Sequence, residues 1–200
     1  MDKNKISNSF TIIELLIVVA IIALFSGLSL AYYNNFGQQA KLKEEARKIV
    51  DVLELAKKKA NSGDIPPGVT CSSGFNGYQV KGTDKKTYLL SLCCGGQCNL
   101  PINTYSIPAN SNVVINSMKY FIDITHSYDI SYVKFKLLTA GVNIPNPSDP
   151  LDPSKEILIS LDTSPNTQVV IVLKSATSLK CIPITITPSA IIKEGAERAC

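Results

Sequence analysis

The stretch "SFTIIELLIVVAIIALF", residues 9–25, decides how this chain is read. Ser9, Thr11 and Glu14 are its only polar residues. A charged side chain in mid-membrane costs about 2.5–3.5 kcal/mol on insertion scales, so Glu14 needs a neutralising partner or a different setting. A helix from Phe10 to Tyr33 would span roughly 36 Å at 1.5 Å per residue, enough to cross a hydrocarbon core of about 30 Å. A plain single-pass anchor is one reading. A cleaved secretory signal is a second: a basic start, the apolar run Leu15–Phe25, then Ser29-Leu30-Ala31 as a small-x-small cleavage site. Neither accounts for Glu14.

The rest of the chain sets the context. Two hundred residues hold one ordinary domain plus an appendage. With 45% hydrophobic and 18% charged residues, a buried core is expected and general disorder is not. A net charge of +4, with both signs mixed along most of the chain, does not by itself indicate nucleic-acid binding. Lys3 and Lys5 precede the apolar run, which keeps the N-terminus cytoplasmic. All six cysteines follow that run, as expected for a region in an oxidising compartment.

A third reading explains Glu14. "SFTIIELLIVVAIIAL" resembles the N-terminal signature of type IV pilins and the related pseudopilins of type II secretion. The resemblance implies a leader, residues 1–9, cut by a prepilin peptidase between Ser9 and Phe10, with N-methylation of Phe10. Glu14 then stands fifth in the mature chain and pairs with the Phe10 amine of a neighbouring subunit during filament assembly. A buried carboxylate is tolerable when paired with an opposite charge. The family usually has Gly where this chain has Ser9, and many members have a helix-bending Pro where it has Ala31. Ser26, Gly27 and Ser29 offer some flexibility instead, Gly lowering helix propensity by about 1 kcal/mol relative to Ala.

Beyond "AYYNNFGQQ" the pattern becomes amphipathic. Leu42, Ala46, Ile49, Val50, Leu53, Ala56 and Ala60 recur at steps of three and four, marking one buried helix face. Glu44, Glu45, Arg47, Lys48, Asp51, Glu54 and Lys58 belong to the remainder, with Glu44–Lys48 and Glu54–Lys58 spaced as favourable i,i+4 pairs. "NSGDIPPG" should end the helix, Gly63 suiting a C-cap and Pro66-Pro67 forbidding continuation. Leu53, Ala56, Lys57, Ala60 and Asn61 also resemble the corresponding helix of H-type pseudopilins and related minor pilins. The expected domains are therefore the leader 1–9, a transmembrane half-helix 10–33, an amphipathic half-helix 34–62 and a disulfide-bearing β-rich head 63–200. The expected fold class is α+β and pilin-like: a long N-terminal helix packed on a C-terminal antiparallel sheet.

Strand candidates in the head are Tyr78–Val80, Thr87–Leu92, Val113–Ile115, Tyr120–Ile124, Tyr132–Leu138, Glu156–Leu161, Val169–Leu173 and Ile182–Thr187. "KGTDKK" and "DTSPNT" read as hairpin loops. Cys181 and Cys200 resemble the C-terminal disulfide-closed loop of many pilins. Cys71 can pair with one member of "CCGGQC", leaving two of Cys93, Cys94 and Cys98 for another bridge; six cysteines allow fifteen connectivities. No CxxC pair and a single histidine, His126, argue for disulfides over a metal or redox site.

Asp149 and Asp152 in the proline-rich "IPNPSDPLDPSKE" are a start toward a Ca²⁺ loop. Ca²⁺ wants six to eight oxygens, so a stiff surface loop is the better reading and no cofactor is expected. Tyr128, Tyr132, Lys134 and Lys136 could form a contact surface, though strand alternation predicts the same pattern. The "THSYD" context of His126 and the absence of G-x-S-x-G or H-E-x-x-H give no support to an enzyme. The resemblance implies a minor pilin or pseudopilin whose partners are other such subunits, the prepilin peptidase, an inner-membrane assembly platform and the lipid bilayer. It would be anchored in the cytoplasmic membrane with its head outside, and then enter an extracellular or periplasmic filament. The competing functions are a DNA-uptake pseudopilus subunit, disfavoured by the balanced tail "IIKEGAERAC", and an ordinary secreted or anchored protein.

Overall fold

A computed structural model describes residues 11–122, 125–137, 141–146, 157–160 and 167–200. The expected processing residues Ser9 and Phe10, the weak Ca²⁺ candidates Asp149 and Asp152, and nearly all of "DTSPNT" lie outside the described residues. The architecture is α+β. Helix α1 runs Ile12–Ser62, followed by strands β1 (Phe75–Gly82), β2 (Thr87–Cys94), β3 (Gln97–Ser106) and β4 (Val113–Phe121). Next come β5 (Ser127–Asp129), β6 (Tyr132–Phe135), β7 (Gly141–Ile144) and β8 (Ile157–Ser160). β9 (Gln168–Ser175), β10 (Lys180–Ile186), β11 (Ile192–Glu194) and β12 (Arg198–Ala199) complete the order. The chain divides into two compact units, Met1–Gly37 and Gln38–Cys200.

Both helix ends have a chemical cause. At the start, Thr11 Oγ1 accepts from the Glu14 N–H at 3.3 Å, and the Thr11 carbonyl accepts from the N–H groups of Glu14 and Leu15. A threonine N-cap with glutamate three residues on is the capping-box pattern, and a carboxylate in the first turn suits the positive end of the helix dipole. At the end, Gly63 takes φ +64°, the left-handed conformation that glycine adopts without steric cost. The Gly63 N–H bonds the Ala60 carbonyl and the Asp64 N–H bonds the Lys59 carbonyl, the two bonds of a Schellman motif. Lys59 pairs with the Asp64 carboxylate, and the Tyr78 hydroxyl donates to the Asp64 carbonyl at 2.6 Å, so the cap is also held by β1.

In the second unit the strands form two sheets, ordered β3-β2-β1-β6-β7-β8 and β11-β10-β9-β4-β5, with β12 also pairing with β10. The pairings among the described strands are antiparallel. The β2–β3 hairpin turns on Gly95 and Gly96, at φ +57° and +90°, between Cys94 and its partner Gln97. A two-residue turn with both φ values positive matches the strand twist, which is why Gly-Gly stands there. The "KGTDKK" loop joins β1 to β2, and Asp84 Oδ1 accepts from the N–H groups of Lys86 at 2.6 Å and Thr87 at 2.8 Å. Those bonds to the charged form, the Lys86 N–H foremost, hold the Asp84 carboxyl below its ordinary range.

One core joins α1 to both sheets. Leu42, Ala46, Leu53, Ala56 and Ala60 on α1, Leu90 and Leu92 on β2, and Leu173, Ile182 and Ile184 from the second sheet are all fully buried. Burying a Leu or Ile side chain contributes about 1.5–3 kcal/mol, so this face fixes the helix on the sheets.

Several expectations need correction. Val113–Ile115 and Tyr120 belong to one strand, β4, which continues through a bulge between Ile115 and Ser117. β3 was not foreseen, because Pro101 and its polar residues argue against a central strand; it is an edge strand, where proline is allowed. Glu45 is buried rather than solvent-facing, with Lys48 Nζ 2.9 Å from its carboxylate. Lys48 also lies 2.8 Å from Glu44, as the spacing predicts, whereas Glu54 meets Lys57 at 3.8 Å. Tyr132 and Lys134 are buried in β6, which removes them from any exposed contact surface.

Candidate assembly site

The residue that set the question, Glu14, sits in the first turn of α1 among side chains that the helix leaves open. Ile12, Ile13, Leu15, Leu16, Ile17, Val18, Val19, Ile21, Ile22, Leu24 and Phe25 are all exposed, from 46% at Val18 to 81% at Ile12. Eleven large apolar side chains within fourteen positions point in every direction around the axis. A helix that is apolar all round is buried in use, in a membrane or among other chains. Single exposed apolar residues are ordinary on a protein surface, but a contiguous sheath of this kind marks an interaction surface.

Within that sheath polar groups are satisfied locally. Thr11 is engaged by the backbone of the first turn, and Ser26 donates to the Ile22 carbonyl at 2.7 Å, hiding its hydroxyl against its own helix. Glu14 carries the charge. Its place in the first turn gives it the helix N-terminus as an electrostatic complement, a role that the periodicity alone did not show and that the T-x-x-E spacing carries. The described apolar side chains, Ile12 to Phe25, cover about 21 Å of helix axis, less than a hydrocarbon core of about 30 Å. Among the described residues no helix is long and apolar enough to cross a membrane. The expected span 10–33 extends beyond that stretch at both ends.

The remaining candidate residues lie in the second unit, and the structure joins all six cysteines in pairs. Cys71 bonds Cys94, Cys93 bonds Cys98, and Cys181 bonds Cys200, with Cα separations of 5.3, 4.0 and 5.2 Å. The first ties the segment after α1 to the end of β2. The second closes the Gly95-Gly96 hairpin, and the third holds the chain's last residue against β10. With no free cysteine, these sulfurs are not thiolate ligands. Among the described residues no group of three or more His, Cys, Asp or Glu side chains converges on a metal position. His126 Nδ1 lies 2.9 Å from the neighbouring Thr125 hydroxyl.

Where α1 enters the second unit, a charged cluster meets an aromatic pair. Lys48 bridges Glu44 and Glu45; hydrogen bonding to Glu44, then Glu45, raises its pKa, and the bond to Lys48 lowers that of Glu44. Tyr88 stacks on Tyr105 with centroids 5.3 Å apart, and burial, reinforced by Glu45, pushes its phenol up to about 12. Arg47 reaches Glu194 of β11 at 3.7 Å, a charged tie between helix and sheet. These contacts register the helix on the head and contain no nucleophile–base arrangement.

Residues 4–30 match the family model described as the prokaryotic N-terminal methylation motif, the prepilin signature of type IV pilins and pseudopilins. No curated protein and no solved structure matches the chain.

Proposed function

We propose that this chain is a structural subunit, a minor pilin or pseudopilin, of a type IV pilus or type II secretion pseudopilus. The methylation motif supports a pilin-like substrate of prepilin peptidase, and proteins with such motifs are structural rather than enzymatic. The observation that carries the reading is the match of residues 4–30 to that motif, together with the open apolar sheath around Glu14 that begins inside it.

The peptidase cuts between Ser9 and Phe10 and Phe10 is methylated. Residues 10–33 wait in the cytoplasmic membrane, 34–62 carry the head, and residues 63–200 form that head outside. On entry into the filament the sheath exchanges lipid for the helices of other subunits. Both environments accept its side chains, so the transfer needs little apolar desolvation. The charge supplies the discrimination. In lipid Glu14 is costly, and beside the Phe10 amine of a neighbouring subunit it is paired. The helix is thus driven toward a register that places one subunit's N-terminus at another's Glu14. The chain does no covalent chemistry of its own; it is the substrate of the processing enzyme and the load of the assembly platform.

The test is mass spectrometry of the mature N-terminus from native membranes. N-methylated Phe10 is expected. A chain beginning at Tyr32 would make it an ordinary secreted protein, and an intact Met1 would leave an unprocessed anchor; either overturns the proposal.

A further inference from the structure

Lys48, Lys59, Lys119 and Lys180 each direct an ammonium at a carboxylate. Lys86 does not. Its Nζ donates to three backbone carbonyls, those of Ser111 at 2.8 Å, Ala109 at 3.1 Å and Pro108 at 3.4 Å. An ammonium has three N–H donors and no acceptor, so these oxygens take up its whole hydrogen-bonding capacity. Among the described residues no ion pair joins Lys86 to a carboxylate.

Local bonds hold the oxygens in place. The Ser111 N–H donates to the Pro108 carbonyl at 2.9 Å, the closing bond of a β-turn, and Ser111 Oγ accepts from the Val113 N–H at 3.1 Å. A carbonyl has two lone pairs, so the Pro108 oxygen can serve the turn and Lys86 together. Ile107, Ser111 and Val113 are buried, which fixes the turn on the head.

Position in the fold gives this contact its consequence. Residues 107–112 carry the chain from β3, at the edge of one sheet, to β4 in the other. The Ile107 N–H bonds the Lys86 carbonyl and the Ile115 N–H of β4 bonds the Lys85 carbonyl, both at 2.7 Å. Lys85 and Lys86 are thus bonded to the crossover at both of its ends, and the Lys86 side chain grips its middle. We infer that the Pro108–Ser111 turn is a monovalent-cation site that the chain fills with its own Lys86 ammonium, a tethered ion clasping the crossover between the sheets.

The donor set selects the class of ion. Three neutral carbonyl oxygens suit a single positive charge, as in sites where carbonyls replace the hydration shell of K⁺. Ca²⁺ takes six to eight oxygens, carboxylates among them, and Mg²⁺ demands an octahedron. Tethering keeps the ammonium at high effective concentration, so the clasp does not depend on the surrounding salt.

Amide hydrogen exchange on the full chain in detergent micelles, read by NMR, tests this with two variants. Lys86→Met keeps much of the stem and removes the charge; protection at Ile107, Ser111 and Ile115 should fall at least about tenfold. Lys86→Ala opens the site to a small ion. Ammonium or potassium chloride at about 0.2 M should restore its protection about fivefold, as for half-saturation near 50 mM, whereas tetramethylammonium chloride at the same concentration should not. If Lys86→Ala is unfolded in tetramethylammonium, ammonium or potassium should recover its folded spectrum. Unchanged protection in Lys86→Met, or a Lys86→Ala variant that no small cation restores or that tetramethylammonium restores equally, would overturn the assignment.

Discussion

Gly77→Ala gives the sharpest test of the head's architecture. Gly77 lies in β1 at φ +120°, at the bulge where two residues of β1 are accommodated against the end of β2. A Cβ placed there would overlap the carbonyl oxygen of Phe135 and lie 2.9 Å from Lys136 Cα. The obstacle is backbone of β6 and its continuation, and Tyr78, the next residue of β1, pairs with Phe135 across the sheet. No rotamer change relieves such an overlap; the β1–β6 ladder must separate or the bulge must unwind. Strain at a positive φ costs about 1–3 kcal/mol and forced overpacking about 1–3 kcal/mol more, so the substitution should remove about 4 kcal/mol. That is a large part of the 5–15 kcal/mol by which domains are ordinarily stable. Gly96→Ala is the control: φ is +90°, but nothing lies within 4 Å of the added carbon, so only strain is paid. Urea unfolding of the full chain in detergent, followed by circular dichroism at constant m, measures both. A loss of less than about 1 kcal/mol for Gly77→Ala, or an equal loss for Gly96→Ala, would refute the close approach of β1 and β6.

Other outcomes follow from particular contacts. Glu14→Ala should leave membrane insertion intact or improved and reduce incorporation into filaments; equal incorporation of variant and wild type in pull-downs of sheared filaments would end the pairing model. Replacing both Cys181 and Cys200 by Ser opens a bridge spanning 19 residues and should cost about 3 kcal/mol of unfolding free energy, measured by urea titration. The Tyr88 phenol is raised to about 12 by burial, so its neutral form favours the folded state. Stability from this group is complete below pH 10 and is lost as the pH rises toward and through 12, by at most about 2–3 kcal/mol. Tyr88→Phe should therefore flatten the alkaline limb of the stability profile, and an unchanged limb would contradict the burial. His126→Ala should leave assembly unaltered, and a loss of incorporation with a normal fold would assign His126 a role that its contact with Thr125 does not suggest.

Legibility in the sequence followed how local each cause was. The helix end was readable because Gly63 and Pro66-Pro67 act on their own backbone, and the Schellman bonds form within six residues. The buried face of α1 was readable because a 3.6-residue period maps directly onto a surface. Glu45 broke that rule because a carboxylate can lie inside the boundary when Lys48, one turn away, is close enough to neutralise it. β3 was missed because strand patterns are judged on apolar content, while an edge strand is held by its ladder to β2 and by the Cys93–Cys98 bond.

The sequence by itself determined that an apolar helix carrying one glutamate lies near the N-terminus, where that helix must stop, and that a β-rich, cysteine-bearing region follows. Each of these depends on residue type and on separations of a few positions, within which the chain's covalent geometry fixes what can meet. The tertiary structure alone decided which cysteines join, which strands neighbour one another, that β1 closely approaches the β6 backbone at Gly77, and that Lys57, Asn61, Lys136 and Ser189 line one cavity. Those contacts bring together residues far apart in the chain. The packing of one core, rather than any local preference, selects them from many arrangements of similar local energy.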